Sequence, residues 1–287
     1  MGATRNINKG TTRMFVYLGV SLWAVLLGAR VCRYDLYHRP PRRMLAAAFT
    51  AGLAAMWLLG HVEDRTAAAL GIALHDATGQ ALVAATHEEL AKLAIVVGLA
   101  LAWRRQFDGP LDGLIYGSFA GLGMAVWESL FYLSLYGQPG IEALGIEIVR
   151  LLLHVLLGGL SGFAVALAAA RARRWPWAVA AWWTAAATLH FLWDCCVGLP
   201  HAALGPSSTA TRLGAVALAA LTMALFGAAV VLGSRRSREK FAPQSTRSLW
   251  AWPFAWAPRR RPDGAGARRA TNRPPPAPAS CTARGPC

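Results

Sequence analysis

The sequence predicts an all-α, polytopic membrane protein: a bundle of about seven transmembrane helices followed by a disordered basic C-terminal tail. Three observations lead there. Of the 287 residues, 55% are hydrophobic and only 15% are charged, against about a quarter charged in a soluble domain. The mean hydropathy is positive, at +0.37. The apolar residues fall in blocks long enough, or nearly so, to cross a hydrocarbon core of about 30 Å as helices. Strands of a β-barrel would be shorter and would alternate. These features exclude an ordinary soluble enzyme, a disordered protein and a small disulfide scaffold. The five cysteines, Cys32, Cys195, Cys196, Cys281 and Cys287, have no CxxC spacing and support neither a disulfide framework nor a zinc ribbon.

The expected spans are residues 14–29, 44–61, 81–103, 113–136, 146–170, 176–199 and 212–233. Residues 1–13 are then an N-terminal tail, 14–233 the membrane domain and 234–287 a cytoplasmic tail. Arg5, Lys9 and Arg13 before the first apolar run imitate a signal peptide, but the run continues into the multi-span pattern. Loop charges give the orientation. Arg30, Arg33, Arg39, Arg42 and Arg43 follow the first span, Arg104 and Arg105 the third, and Arg171, Arg173 and Arg174 the fifth. The alternate loops carry Glu63, Asp64 and Asp76 against Arg65, then Glu142 and Glu147 against Arg150. The positive-inside rule puts the N-terminus outside and the C-terminus in the cytoplasm of a multi-pass plasma-membrane protein.

The net charge of +15 divides unevenly along the chain. Twelve basic and two acidic residues lie from Arg235 to Cys287. This tail is rich in Pro, Arg, Ala and Gly, which predicts disorder. Basic loops and a basic tail explain the charge better than nucleic acid does, and anionic inner-leaflet lipids are the expected partners of the tail. Trp250, Trp252, Phe254 and Trp256 among its basic residues suit a leaflet surface.

Ionisable groups inside a span cost roughly 2.5–3.5 kcal/mol each on insertion scales. Glu88, Glu89 and Lys92 lie in the third span, Glu128 in the fourth, His154 in the fifth, and His190 and Asp194 in the sixth. At 1.5 Å per residue Glu88, Glu128, His154, His190 and Asp194 fall about 8–13 Å from the same, outer side. One buried polar site shared by four helices follows. Lys92 stands i+4 from Glu88 and i+3 from Glu89, so it can neutralise either carboxylate. Lysine is rare here, with 3 against 26 arginines, which suggests that a compact ammonium matters at this position. Asp194, i+4 from His190, can orient that imidazole. The alternative for each residue is a structural polar network between helices. Gly117, Gly121, Gly158 and Gly162 have the small-xxx-small spacing of close helix packing. Trp127 and Trp193 suit core packing or interface anchoring. Cys195 and Cys196 are expected to be inert buried thiols. His61, His75 and His201 carry no signal. His87 does not open an HExxH zinc motif, because Ala91 occupies the second histidine position.

The run Glu88-Glu89-Leu90-Ala91-Lys92 resembles the EExxK motif of PrsW-type intramembrane proteases, relatives of the CAAX prenyl endopeptidase and bacteriocin-processing family. Residues 107–117, from Phe107 through Asp108, Asp112 and Gly113 to Gly117, resemble the family's D-x-x-x-D-G-I-I-Y-G lead-in to the next helix. Residues 121–128, ending in Trp127-Glu128, are similar to its G-F-A-x-x-E-N motif, with Met124 in place of Phe and Ser129 in place of Asn. His154 occupies the place of the lone histidine of the following helix, and His190 to Asp194 match HxxxN/D. Tyr34-Asp35 with Pro40-Pro41 resembles the segment after the first span. The resemblance covers about residues 15–200.

It implies an intramembrane endopeptidase that hydrolyses membrane-anchored polypeptides near the outer leaflet, transmembrane anti-sigma factors being one candidate substrate. Peptide hydrolysis needs an activated water and a stabilised oxyanion. The implied roles are Glu88 as general base, Glu89 and Lys92 setting its charge, and Glu128 with His154 completing a site for water or metal. His190 and Asp194 would polarise the scissile carbonyl or orient a metal ligand. His154, His190 and Glu128 are the implied metal ligands and zinc the implied ion, although the prenyl-endopeptidase relatives suggest that the same set can work without metal. Two other readings stay open. One is a non-catalytic scaffold or chaperone of the same fold, since the superfamily includes the gamma-secretase scaffold subunit. The other is a proton-coupled transporter, which internal inverted repeats would favour.

Overall fold

The computed structural model describes residues 2–34, 40–104, 107, 109–135, 141–169, 175–197 and 209–241. Among these residues the chain is all-helical: α1 (Gly2–Val31), α2 (Arg42–Ala69), α3 (Ala77–Ala102), α4 (Pro110–Leu135), α5 (Ile141–Ala169), α6 (Trp175–Val197) and α7 (Thr209–Phe241). Asp35, Arg39, Arg105, Asp108, Tyr136, Arg171, Arg173, Arg174, Leu199, His201 and the tail beyond Phe241 lie outside the described residues.

Among the described residues five helices are long and apolar enough to cross a membrane: Thr12–Val31 within α1, α2, α4, Ala143–Ala169 within α5, and Thr209–Ser237 within α7. The other two, α3 and α6, have ionisable groups in the interior of their apolar runs. The middle of α3 carries Glu88, Glu89 and Lys92, and α6 carries His190 and Asp194 among its tryptophans. Several boundaries move from the sequence expectation. Residues 2–13 are helical and continuous with α1, whose apolar span begins at Thr12, and α7 runs past 234 to Phe241. Residues 62–69 extend α2, so Glu63 is helical, and α5 begins at Ile141, before the expected span, so that Glu147 and Arg150, counted with the loop charges, lie well inside it.

Local chemistry sets the ends. Gly71 adopts φ +70° after α2, a left-handed conformation that only glycine takes without steric cost. Its N–H and those of Leu70 and Ile72 bond back to Ala68, Thr66 and Ala67 and close the last turn. Asp76 caps α3 by accepting from the Gly79 N–H at 3.0 Å. Pro110, whose missing N–H costs nothing there, opens α4. Asp112 accepts from the Gly109 N–H at 2.9 Å and holds the lead-in.

The centre of the bundle is the α4–α5 pair. Within the apolar stretches, 89% of α5 and 72% of α4 are buried, against 28% or less for α1, α2 and α7. In lipid no hydrophobic drive brings helices together, so close contact depends on small residues. A Cβ at Gly113 would collide with the carbonyl of Gly162, one at Gly117 with that of Gly158, and one at Gly121 with that of His154. Each step of four along α4 thus meets a step of four along antiparallel α5. On the opposite face of α4, Gly52 of α2 lies against the Ala120 carbonyl, and Gly123 against that of Phe49. The small-xxx-small spacing read in the sequence is this backbone seam. α1 is tied across it by the Trp23 indole, which donates to the Ile148 carbonyl at 2.9 Å.

Gly121→Ala is expected to cost about 1–3 kcal/mol, since backbone must move to admit the methyl group. Gly98, where an added Cβ meets nothing within 4 Å, should accept alanine without loss. Thermal unfolding of the two variants in one detergent ranks them.

Candidate active site

All seven side chains singled out in the sequence converge. Glu88, Glu89 and Lys92 come from α3, Glu128 from α4, His154 from α5, and His190 and Asp194 from α6. None is more than 7% exposed. Measured from the start of α3 and α5 and the end of α4 and α6, the seven residues stand about 5–23 Å along their helices, Asp194 nearest and Lys92 farthest.

The contacts form a continuous path. Lys92 Nζ donates to Glu89 Oε1 at 2.5 Å. The same oxygen accepts from His190 Nδ1 at 2.8 Å. A carboxylate paired with an ammonium only accepts, so the His190 proton sits on Nδ1. Its Nε2 then faces Glu88 Oε2 at 3.9 Å and Asp194 Oδ2 at 3.6 Å. Glu88 Oε2 also lies 3.7 Å from His154 Nε2. That nitrogen stands 3.0 Å from Glu128 Oε2, an ion-pair distance whose angle falls outside hydrogen-bond geometry. The two imidazoles meet edge to face with centroids 5.0 Å apart.

One detail differs from the sequence reading, and one alternative it left open is narrowed. The carboxylate that orients His190 through a hydrogen bond is Glu89, 101 residues away, while Asp194, on the same helix, stands off at 3.6 Å. Lys92 pairs with Glu89. Glu88, the other carboxylate within its reach, keeps one oxygen without a hydrogen-bond partner.

The structure adds residues that the sequence reading assigned to a loop. Glu147 is fully buried and Arg150 nearly so. Arg150 Nη1 donates to both Glu147 oxygens at 2.8 and 2.9 Å, and its Nε lies 3.4 Å from Glu128 Oε1. The available signal was spacing, because Glu147, Arg150 and His154 recur at helical intervals of three and four. Glu63, also read as a loop residue, stands in α2 with one buried oxygen lacking a partner, within electrostatic reach of Glu88 and Glu128. His87 faces elsewhere, with Nδ1 2.8 Å from the Val83 carbonyl and Nε2 3.5 Å from Thr66 Oγ1. Cys195 is exposed and Cys196 half-buried, so these thiols are not the buried pair expected. Trp193 packs with Leu153 and Ala215.

The group suits a divalent cation. Glu88, His154 and His190 each place a ligand atom within 4.8 Å of the others. Two imidazole nitrogens and a carboxylate oxygen are donors that zinc accepts, at about 2 Å each. Glu89 on the far nitrogen of His190 is the outer-shell carboxylate that orients such a ligand. The partnerless Glu88 Oε2 is buried beside both imidazoles. Five buried carboxylates, Glu88, Glu89, Glu128, Glu147 and Asp194, face two buried cations, Lys92 and Arg150, and a dication would offset part of the excess. Glu128, implied as a ligand by the resemblance, lies beside this trio, between His154 and Arg150.

Comparison with protein families is decisive. The model of the PrsW family intramembrane metalloproteases matches residues 40–233. The chain belongs to the PrsW family. It is therefore a membrane-embedded peptide hydrolase, and α2 to most of α7 form the family domain. No curated protein and no solved structure matches it. The PrsW match includes every one of the seven converging residues.

The buried Lys92–Glu89 pair makes a distinguishable pair of outcomes. Lys92→Ala leaves Glu89 uncompensated and should cost about 3–5 kcal/mol. Glu89→Leu combined with Lys92→Met replaces the pair by apolar volume and should regain most of that stability. Peptide hydrolysis should stay lost in the double variant, because His190 loses its orienting partner. Melting temperature and cleavage rate, measured together, separate these effects.

Proposed function

We propose that this PrsW protein is an endopeptidase that cuts membrane-anchored polypeptides at the Glu88–His154–His190 centre. The single observation that carries this reading is Glu88 Oε2: buried, without a hydrogen-bond partner, and 3.7 and 3.9 Å from two imidazole nitrogens. These gaps are too long for hydrogen bonds and suit a reacting group between them.

In this mechanism Glu88 is the general base. Glu89 is already committed to Lys92 and His190, and Glu128 to Arg150 and His154. Glu88 takes a proton from water as the water oxygen bonds to the scissile carbonyl carbon. His154, aligned by Glu128, orients that water. His190, held by Glu89 and flanked by Asp194, faces the carbonyl side of the same space. The proton then passes from Glu88 to the amide nitrogen, the C–N bond breaks, and a carboxylate and an amine leave. When a divalent ion is bound, His154 and His190 would hold it beside Glu88, which stays the base, and the ion would supply Lewis-acid polarisation of the carbonyl. Zinc is the ion proposed.

The site face is proposed to lie outside, on the strength of the basic alternate loops and the positive-inside rule, with cleavage near the outer leaflet and the C-terminus cytoplasmic. Transmembrane anti-sigma factors are the substrate class proposed, and the basic tail is proposed to rest on anionic inner-leaflet lipids.

Glu88→Gln should abolish cleavage while leaving membrane insertion and melting temperature intact. A comparison of membrane proteomes between wild-type and Glu88→Gln cells should show uncut substrate accumulating in the variant. Equal processing by both would refute the mechanism and leave a scaffold or transporter role. Elemental analysis should find about one equivalent of metal in the wild-type protein and little in His154→Ala or His190→Ala.

A further inference from the structure

The buried arginine of α5 neither moves a proton nor meets substrate in the mechanism above, yet it touches the group that aligns His154. We propose that Arg150 is a positioning residue for the active site: with Glu147 it clamps Glu128 so that the second oxygen of Glu128 is held against His154. The proposal rests on the site reading given above and extends it to two residues outside every motif quoted from the sequence.

The geometry is specific. Arg150 precedes His154 by four residues, so the two share a face of α5. Its guanidinium is held from three sides. Nη1 donates to both oxygens of Glu147 at 2.8 and 2.9 Å. The Tyr132 ring lies 4.2 Å from the guanidinium carbon. Nε faces Glu128 Oε1 at 3.4 Å. The other Glu128 oxygen, Oε2, lies 3.0 Å from His154 Nε2. A carboxylate gripped through one oxygen presents the other in a defined direction, and a planar guanidinium does this where an ammonium does not. Glu147, 0% exposed, offsets the charge of Arg150, so Glu128 need not be drawn wholly to the arginine. The α4–α5 glycine seam brings Glu128 and Arg150 together, because the register that seats Gly121 on His154 places the next turns of the two helices opposite each other. Outer-shell partners of this kind typically contribute tenfold to a hundredfold to metal affinity or activity.

A structural ion pair and a positioning clamp differ in one respect. If Arg150 serves only stability, replacing the Arg150–Glu147 pair by apolar residues should restore function along with stability. The test uses the full chain in detergent micelles. Melting temperature is read first, then Zn2+ affinity by competition with a chromophoric chelator, then steady-state cleavage of fluorescein-labelled casein. For R150M/E147L we expect a melting temperature near that of the wild type. Zn2+ affinity should be about tenfold to a hundredfold weaker and kcat lowered by a similar factor, with KM little changed. For R150K, which keeps the charge and most of the stem, we expect a stable protein with an intermediate loss. Wild-type Zn2+ affinity and wild-type kcat in R150M/E147L overturn the proposal. If that variant does not fold, the same result in R150K overturns it. Glu88→Gln, run in parallel, separates the two levels. Should it cleave casein at the wild-type rate, the parent mechanism fails, and Zn2+ affinity alone still decides the role of Arg150.

Discussion

The distance between α4 and α5 governs the rest of this protein. At Gly113, Gly117 and Gly121 the backbone of α4 meets carbonyls of α5 with no room for a side chain. In a bilayer such contact replaces the hydrophobic effect as the source of helix association. It also sets register and rotation together, because glycine recurs at steps of four on α4 and the partner positions recur likewise on α5. Glu128 is carried past the end of that seam toward Arg150, and His154 is seated in it by its own carbonyl. α2 closes on the other face of α4 by the same device, with Gly52 and Gly123.

On this frame hangs a polar network that would be too costly to bury piecemeal. Its members share charge across helices: Lys92 of α3 serves Glu89, which serves His190 of α6. Arg150 of α5 serves Glu147 and Glu128 of α4. The two cationic anchors stand at opposite ends, and Glu88 lies between, within 4 Å of both imidazoles. A carboxylate in that place has its neighbours' attraction without being tied to any cation by a hydrogen bond. This is the condition a base needs, and the same opening suits the metal that the PrsW family name implies.

Much of this was legible beforehand, for identifiable reasons. Apolar blocks announce helices because lipid requires every backbone group to be bonded within its segment. All seven helices were therefore readable, while their ends were not. Glu63, Glu147 and Arg150 looked like loop residues because charge usually marks the membrane surface. Glu63 lies beyond the apolar block of α2, Glu147 and Arg150 at the very start of that of α5, and in the folded chain neighbouring groups supply the missing solvation. The opposite error befell Cys195, an apolar-looking residue in an apolar run that lies on an outward face.

The sequence by itself determined the class of fold, the helices that carry charge, and the shared depth of Glu88, Glu128, His154, His190 and Asp194. These follow from hydropathy and a rise of 1.5 Å per residue, which are properties of one segment at a time. Only the tertiary structure decided the partners. Sequence spacing offered Asp194 to His190 and left Lys92 a choice of two glutamates. The folded chain gave His190 to Glu89 and Lys92 to Glu89 as well. Arg150, read as one more loop charge, became the counter-charge of Glu128. Such pairings depend on how far each helix is rotated and slid against its neighbours. In this bundle that is set by backbone contacts at glycines, whose spacing suggests close packing but does not say which residues meet across it.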